Sequence, residues 1–301
     1  AFGCNVCGSA VSKAWTWVCE SADPQAVPAM RGERRFPVVR CAECGLACVW
    51  PRYTDEELRV LYADARLFLG SMDPEGRQRS YLGEQEAKQK VFAEVAHWLE
   101  RFKAGGELLE VGCGPGFFLD ILGGHWQASG VELSPFAAAY ARREMGLEVV
   151  EGAFEPGRFQ AERFDAVAML QVLDHLPDPR QALAEAGRIL KAGGVLVLTS
   201  LANGNSYCAR VFGGGYRLLA PNHLYYFSPD TLERLLAETG FQIEEMRFPY
   251  WNTPYRNYKE LKNLVFRSAQ ALLQRLTGQE PTVLSPPCYG NHIDVMARKL
   301  P

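Results

Sequence analysis

The sequence lacks a membrane span, a signal peptide and a strong charge imbalance. No apolar run approaches the roughly 20 residues that cross a bilayer, and the first 20 residues lack the charged start and apolar stretch of a signal peptide. Lys and Arg number 32 against 35 Asp and Glu, which gives a net charge of -3. This balance disfavours a nucleic-acid coat or a polybasic membrane binder.

Cysteine is too scarce for a protein held together by disulfides. The chain has 301 residues and nine cysteines, an odd number, which favours the reducing cytoplasm over an oxidising compartment. Hydrophobic residues make up 48% of the chain, enough for a sizeable core. The length predicts one large domain or two unequal ones.

Two Cys-x-x-Cys-Gly motifs frame a small β-rich segment at the start of the chain. Cys4 and Cys7 form the first motif, Cys41 and Cys44 the second, and strand patterns at 14–19 and 36–40 lie between them. Four thiolates at this spacing can hold one tetrahedral Zn²⁺, whereas reduced core cysteines or a redox pair are the alternatives. We predict a structural zinc ribbon with its linker over residues 1–75. Eight Lys and Arg against ten Asp and Glu in this range disfavour an RNA-binding role.

From residue 76 to 301, apolar strands alternate with longer helical patterns. This alternation predicts an α/β fold, a doubly wound and mostly parallel sheet of the Rossmann type. The last two strand patterns lie at 241–248 and 291–299. They lack the full crossover that joins neighbouring parallel strands, which predicts an antiparallel edge. A helical insertion at 255–276 separates them, and its apolar residues at helical spacing predict one buried face. These residues are Leu261, Leu264, Val265, Leu272 and Leu276.

A glycine-rich loop follows the first strand of this second part. Gly112, Gly114 and Gly116 lie between an apolar strand and a helix, so a ligand can approach the backbone at a helix N-terminus. The acid Glu110 just before the loop would repel a pyrophosphate but suits the ammonium group of an amino-acid-bearing cofactor. Glu132 ends the next strand, where an acid commonly binds ribose hydroxyls. The main structural competitor is a nicotinamide-dependent dehydrogenase.

In these motifs the chain, from about residue 77 to 299, resembles class I S-adenosylmethionine (SAM)-dependent methyltransferases. The cofactor loop 110–116, the ribose acid Glu132, the fourth-strand block 164–179 and the Gly193-Gly194 turn occur in the family's order. The segment 223–241 is similar to the branch with quinone and natural-product methyltransferases. The resemblance implies a Rossmann-like enzyme that transfers a methyl group from SAM to a small-molecule acceptor, most simply at oxygen.

The resemblance also implies the cofactor contacts. They are Glu110, Gly112, Cys113, Gly114, Gly116, Glu132, Leu133, Ala153, Phe154, Leu170 and Gln171. Many relatives carry an acid against the adenine amine where this chain has Ala153 and Phe154, so Phe154 is expected to offer the ring an apolar face. Relatives in the quinone branch hold Mg²⁺ with a Glu-x-x-Glu-His run. Gln171 replaces the first of those carboxylates here, which makes a Mg²⁺ site doubtful.

The acceptor site is predicted at the carboxyl edge of the sheet, where cofactor and acceptor meet. His175 and His223 are candidate general bases, and packing roles are their alternatives. Tyr225, Tyr226 and Tyr255 are candidate acceptor contacts. An RNA methyltransferase and a SAM-binding protein without turnover remain alternative functions, and either a monomer or a homodimer fits the sequence.

Overall fold

The computed structural model describes residues 3–9, 13–20, 35–72, 78–249, 258–287 and 290–301. Its first elements are β1 (Lys13–Glu20), β2 (Arg35–Arg40), β3 (Ala47–Val49), α1 (Asp55–Ala63), α2 (Arg66–Leu69), β4 (Ser71–Met72) and β5 (Gln78–Arg79). The next are α3 (Gln85–Glu100), β6 (Gly106–Val111), α4 (Phe117–Ile121), β7 (Trp126–Glu132), α5 (Pro135–Arg143), β8 (Val149–Glu151) and β9 (Phe164–Leu170). The last are α6 (Pro179–Ile189), β10 (Leu190–Ala202), α7 (Tyr207–Phe212), β11 (Tyr225–Tyr226), α8 (Pro229–Glu238), β12 (Phe241–Arg247), α9 (Tyr258–Leu276) and β13 (His292–Lys299).

The main sheet has seven strands in the order β12-β13-β10-β9-β6-β7-β8. Strands β10, β9, β6, β7 and β8 run parallel, whereas β13 is antiparallel to both β10 and β12. The predicted Rossmann-like sheet with an antiparallel edge is therefore confirmed. Its parallel strands bring the chain segments after β6, β7, β8 and β9 to one edge.

Local sequence signals explain where the helices begin. Thr54 caps α1 in a capping box: the Thr54 side chain accepts the Glu57 N–H, and the Glu57 side chain accepts the Thr54 N–H. Asp178 caps α6, whose first residue is Pro179, a residue that needs no backbone donor at this position. These caps fix the entry of the chain into each helix.

A second sheet joins the amino-terminal module to the larger α/β part of the chain. Its strand order is β1-β2-β3-β11. The short strand β11 belongs to the part of the chain after residue 75, the predicted domain boundary. Cys48 pairs with Tyr225, and the Val49 N–H donates to the Leu224 carbonyl at 3.0 Å. Arg180 adds a second connection between the two parts, because its side chain donates a hydrogen bond to the Asn5 carbonyl at 3.1 Å. The module is thus anchored to the larger part by backbone and side-chain bonds.

Helix α9 corrects one sequence prediction. The described helix starts at Tyr258, and residues 255–257 lie outside the described residues. Val265, Leu272 and Leu276 are 62%, 47% and 85% exposed, so the predicted buried face is wrong for these three residues. Helical spacing defines an apolar stripe, but it carries no information on which neighbour covers that stripe.

Candidate active site

The glycine loop between β6 and α4 has a backbone that requires glycine. Gly112, Gly114 and Gly116 have φ angles of 67°, 54° and 87°, in the left-handed region. A Cβ at Gly112 would lie 2.7 Å from Val172, so a side chain is also excluded by space. The loop therefore presents backbone rather than side chains to a ligand at the sheet edge.

Glu132 holds this loop against the start of α5. Its Oε2 accepts the Gly114 N–H and its Oε1 accepts the Ser134 N–H, each at 2.7 Å. The residue is only 6% exposed, and burial raises the pKa of its carboxyl even though these backbone bonds act in the opposite direction. A buried carboxylate with free lone pairs can still accept hydrogen bonds from ligand hydroxyls.

Glu110 carries an unsatisfied buried oxygen. The residue is 3% exposed, and its Oε2 has no hydrogen-bond partner among the described residues. Burial raises the pKa of its carboxyl well above the usual value, and the nearby Glu132 charge adds to that effect. A cationic ligand group would stabilise the buried Glu110 carboxylate in two ways, because it supplies the missing hydrogen-bond donor and a charge of opposite sign. The chemistry of the two acids fits the ammonium and ribose groups of SAM.

The remaining predicted cofactor residues lie at the same edge. Leu133 follows β7, Ala153 and Phe154 follow β8, and Leu170 and Gln171 end or follow β9. Cys113 lies inside the glycine loop and is buried. The topology thus brings all the predicted cofactor segments together, and their contacts with a cofactor remain predictions.

Two aromatic residues that the sequence analysis did not select also lie at the loop. Phe68 on α2 is the nearest side chain to a Cβ built at Gly114, 3.8 Å away. Tyr81 stacks on Phe117 with ring centroids 5.7 Å apart, and the charges of Glu110 and Glu132 contribute to its raised pKa after burial. Neither residue belongs to a motif of the sequence, so no local signal marked them.

His175 and His223 are neighbours. Their rings meet edge to face with centroids 4.6 Å apart, although the residues come from separate segments after β9 and before β11. His223 Nδ1 lies 2.7 Å from the Leu218 carbonyl and must donate to it, which leaves Nε2 as an acceptor. The two sequence candidates for a base therefore form one site.

The ring nitrogens of His175 have different neighbours from those of His223. Its Nδ1 is 2.9 Å from the Tyr62 hydroxyl, and its Nε2 is 3.9 Å from Asp174 Oδ1. Because the Asn222 side chain also bonds the Tyr62 oxygen, the Tyr62 proton is free to donate to Nδ1. Burial lowers the pKa of His175 to about 4, so this ring is neutral near pH 7 and carries its proton on Nε2. Tyr62 and Asn222 were missed, since nothing local links α1 to this site.

Asp174 completes the cluster. It is 1% exposed, and its Oδ1 has no hydrogen-bond partner among the described residues. Asp174, His175 and His223 can bring one ligand atom each within 4.8 Å of one another. Two nitrogens and one oxygen are not the oxygen-rich set that Mg²⁺ prefers, in agreement with the doubt raised by the sequence.

The three tyrosines predicted to contact the acceptor have different positions. Tyr225 and Tyr226 are each 1% exposed, and their hydroxyls bond the Pro177 and Ala220 carbonyls at 2.9 and 3.2 Å. These contacts give both residues packing roles, so their contact with an acceptor remains a prediction. Tyr255 lies outside the described residues.

The four amino-terminal cysteines converge. The Cys4 and Cys44 sulfurs are 3.4 Å apart, the Cys7 and Cys41 sulfurs 3.5 Å apart, and all four lie within 4.8 Å of one another. Zn–S bonds of about 2.3 Å place tetrahedral sulfurs about 3.8 Å apart, so the cluster has nearly the right size. Seven cysteines take part in no disulfide: Cys4, Cys7, Cys41, Cys44, Cys48, Cys113 and Cys208.

A glycine loop and buried acids at the carboxyl edge of a doubly wound sheet define a Rossmann-like, cofactor-binding enzyme. A family model described as a methyltransferase domain matches residues 84–246. Ubiquinone biosynthesis O-methyltransferase of Thiobacillus denitrificans is 32% identical over 174 residues, which cover 52% of this chain and 73% of that protein. The protein of the same name from Xanthomonas axonopodis pv. citri is 31% identical over 175 residues, covering 53% and 72%.

A solved structure is similar in fold. It is a chain in the complex of the Trm112 methyltransferase activator from Haloferax volcanii with a methyltransferase, and it matches with a TM-score of 0.53 and 16% identity. The match covers 83% of this chain and 100% of that one. The chain belongs to the methyltransferase domain family, and it is a SAM-dependent methyltransferase. Among the described residues, no helix combines the length and apolar composition of a membrane span.

Proposed function

We propose that this enzyme transfers the methyl group of SAM to a hydroxyl oxygen of a small-molecule acceptor, with His223 as the general base. The observation that carries this proposal is the unequal bonding of the two imidazoles. His223 donates through Nδ1 to the Leu218 carbonyl and keeps Nε2 as an acceptor, whereas Nδ1 of His175 already accepts from the Tyr62 hydroxyl and its Nε2 carries the proton of the neutral ring. The relatives named as O-methyltransferases support oxygen as the acceptor atom.

SAM, when bound, supplies an electrophilic methyl group on a sulfonium. Glu110 would pair with its ammonium group and Glu132 with its ribose hydroxyls, as the burial of both acids favours. His223 Nε2 would take the acceptor's hydroxyl proton while the oxygen–carbon bond forms and the sulfur keeps the electron pair of the breaking bond. Neutral His175 would orient the His223 ring by edge-to-face packing.

Incubation with methyl-labelled SAM and a panel of phenols, catechols, sugars, amines and RNA tests the function. Mass spectrometry would then locate the transferred label. Label on a hydroxyl oxygen of a small molecule, without added divalent metal, is the expected result. Label on RNA, or on nitrogen or carbon only, contradicts the proposed acceptor. Tight SAM binding with no transfer to any acceptor would favour a non-catalytic protein.

SAM binding is expected to release protons. Burial raises the pKa of Glu110 in the free protein, and a bound ammonium group lowers it by favouring the carboxylate. Affinity should therefore rise with pH up to the free-protein pKa and level off above it. Calorimetry in two buffers of different ionisation enthalpy measures the released protons. Glu110→Gln should reduce that number, whereas Glu144→Gln, on the exposed end of α5, should leave it unchanged.

We also propose that Cys4, Cys7, Cys41 and Cys44 hold one structural Zn²⁺, and that the protein acts in the reducing cytoplasm, which preserves the thiolates. Four sulfur ligands fill a tetrahedron and leave no open position for chemistry. Elemental analysis should find about one zinc per chain, and Cys41→Ser should lower that content.

Cys48 on β3 offers a matched control for the zinc proposal. Its sulfur is buried and does not belong to the group of four sulfurs that lie within 4.8 Å of one another. Cys48→Ala should keep the zinc content of the wild type. A metal-free protein whose residues 35–49 resist hydrogen exchange as well as the wild type would contradict the proposed zinc site.

A further inference from the structure

A backbone hydrogen bond joins the two chain segments that carry the histidines. Leu224 directly follows His223, and its N–H donates to the Asp174 carbonyl at 2.8 Å. Asp174 in turn directly precedes His175. Because a hydrogen bond of this length allows little change in distance, it constrains how far apart the two rings can lie.

Strand β3 binds the same segment from the other side. It belongs to the amino-terminal module, the part of the chain before residue 76. The Val49 N–H donates to the Leu224 carbonyl at 3.0 Å, and β3 pairs with β11 over the next two residues. Leu224 is therefore held through its N–H by Asp174 and through its carbonyl by the module. Cys44, a proposed zinc ligand, lies shortly before β3 and connects this strand to the cysteine cluster.

Helix α1 of the same module reaches the histidine rings themselves. The Tyr62 hydroxyl donates to His175 Nδ1 at 2.9 Å, which favours the neutral ring with its proton on Nε2. Asn222 bonds the Tyr62 oxygen through its side chain and the His175 ring through its backbone. It is also the residue directly before His223. One hydroxyl of the module thus connects both histidine segments.

We propose that the amino-terminal module positions the general base, with Tyr62 and the Val49–Leu224 hydrogen bond as its two contacts. This inference rests on the proposed role of His223 and assigns a positioning role to residues of another part of the chain. Tyr62 and Val49 both lie outside residues 84–246, so the range that matches the methyltransferase domain lacks this support. Neither hydrogen bond involves the glycine loop. The module therefore acts on turnover and not on SAM affinity.

Tyr62→Phe removes the hydroxyl and keeps the ring. We expect kcat to fall by roughly 10-fold to 100-fold, because a misplacement of about 1 Å in an active site can have an effect of this size. SAM affinity, measured by calorimetry, should not change. Combined with His175→Gln, the two losses in kcat should not add, because Tyr62 acts partly through His175.

Side-chain ¹⁵N–¹H NMR of the histidines gives a readout that needs no acceptor. In the wild type, His223 should be a single tautomer with its proton on Nδ1, which donates to the Leu218 carbonyl. In Tyr62→Phe its resonances should shift or broaden, since Asn222 loses its side-chain bond.

Tyr216→Phe is the matched control for the loss of a tyrosine hydroxyl. Tyr216 is 1% exposed, and its hydroxyl lies 3.1 and 3.0 Å from the carbonyl oxygens of Asn203 and Asn291. This variant also loses hydrogen bonds in the interior, and thermal unfolding measures its stability beside that of Tyr62→Phe. The His223 resonances should stay as in the wild type.

Cys41→Ser tests the contact through β3. Loosening the cysteine cluster should raise hydrogen exchange at residues 224–226, although they lie far from Cys41 along the chain. Strand β6, at 106–111, should keep its protection, and kcat should fall while SAM affinity stays the same. Wild-type protection of residues 224–226 together with wild-type kcat would overturn the role of β3.

Two variants separate this inference from the proposed function. Wild-type turnover in His223→Ala would refute the base itself. Wild-type turnover and unchanged His223 resonances in Tyr62→Phe, beside an impaired His223→Ala, would refute only the positioning role of the module.

Discussion

Replacing His223 by Ala should lower kcat by about 10²–10⁴-fold, the usual contribution of a positioned general base. SAM affinity should remain intact, because His223 lies before β11 and not in the glycine loop. Wild-type activity should fall on the acid side of its pH profile as the base takes up a proton. The variant should lose this acid limb, and both effects appear in steady-state kinetics with calorimetric SAM binding as the reference.

The His175→Gln variant tests whether His175 is the base or only orients the His223 ring. His175 is neutral near pH 7 and its nitrogens face Tyr62 and Asp174, so it should not contribute the acid limb. Its replacement should lower kcat less than His223→Ala and keep the shape of the pH profile. If His223→Ala retains wild-type turnover, the base proposal fails. Loss of the acid limb in His175→Gln alone would assign the base role to His175.

Replacing Glu132 by Ala should weaken SAM binding by about 10²-fold or more. Each charge-assisted hydrogen bond is worth roughly 1.5–3 kcal/mol, and the carboxylate is expected to receive two ribose hydroxyls. The variant also removes the bonds from Gly114 and Ser134 that hold the loop against α5. Isothermal calorimetry with SAM and with S-adenosylhomocysteine measures the loss.

Glu144→Ala is the matched control for Glu132. Glu144 is exposed directly after α5, and among the described residues its side chain has no hydrogen bond to the glycine loop, so SAM affinity should not change. Thermal unfolding of Glu132→Ala in the absence of ligand distinguishes a loosened loop from a lost ligand contact. Unchanged SAM affinity in a folded Glu132→Ala would contradict the assigned ribose site.

The main sheet could be predicted from the sequence because its signals are local. Apolar strands, capped helices and the glycines of the loop each report on a few neighbouring residues, and the topology follows from their alternation. Glu110 and Glu132 were likewise found from their spacing to Gly112. The same reasoning found His175 and His223 separately but did not establish that their rings meet.

The residues that were missed depend on contacts between distant parts of the chain. Tyr62 and Phe68 lie on α1 and α2, far in sequence from the glycine loop and from the histidines, and only the folded chain brings them to the site. Strand β11 has two residues, too few for a periodic signal, and exists because β3 pairs with it. The exposure of Val265, Leu272 and Leu276 on α9 likewise depends on what surrounds the helix.

The pairing of β3 with β11 also affects the order in which the protein can fold during synthesis. Residues 47–49 leave the ribosome long before residues 225–226. The edge of β3 that pairs with β11 therefore has no partner strand while most of the chain is being synthesised. Closing so long a loop is slow, and an unpaired strand edge is a site for intermolecular pairing. Messenger truncation or slowed translation before residue 226 should therefore yield aggregation-prone fragments, and chaperone binding to nascent chains should end once β11 has emerged.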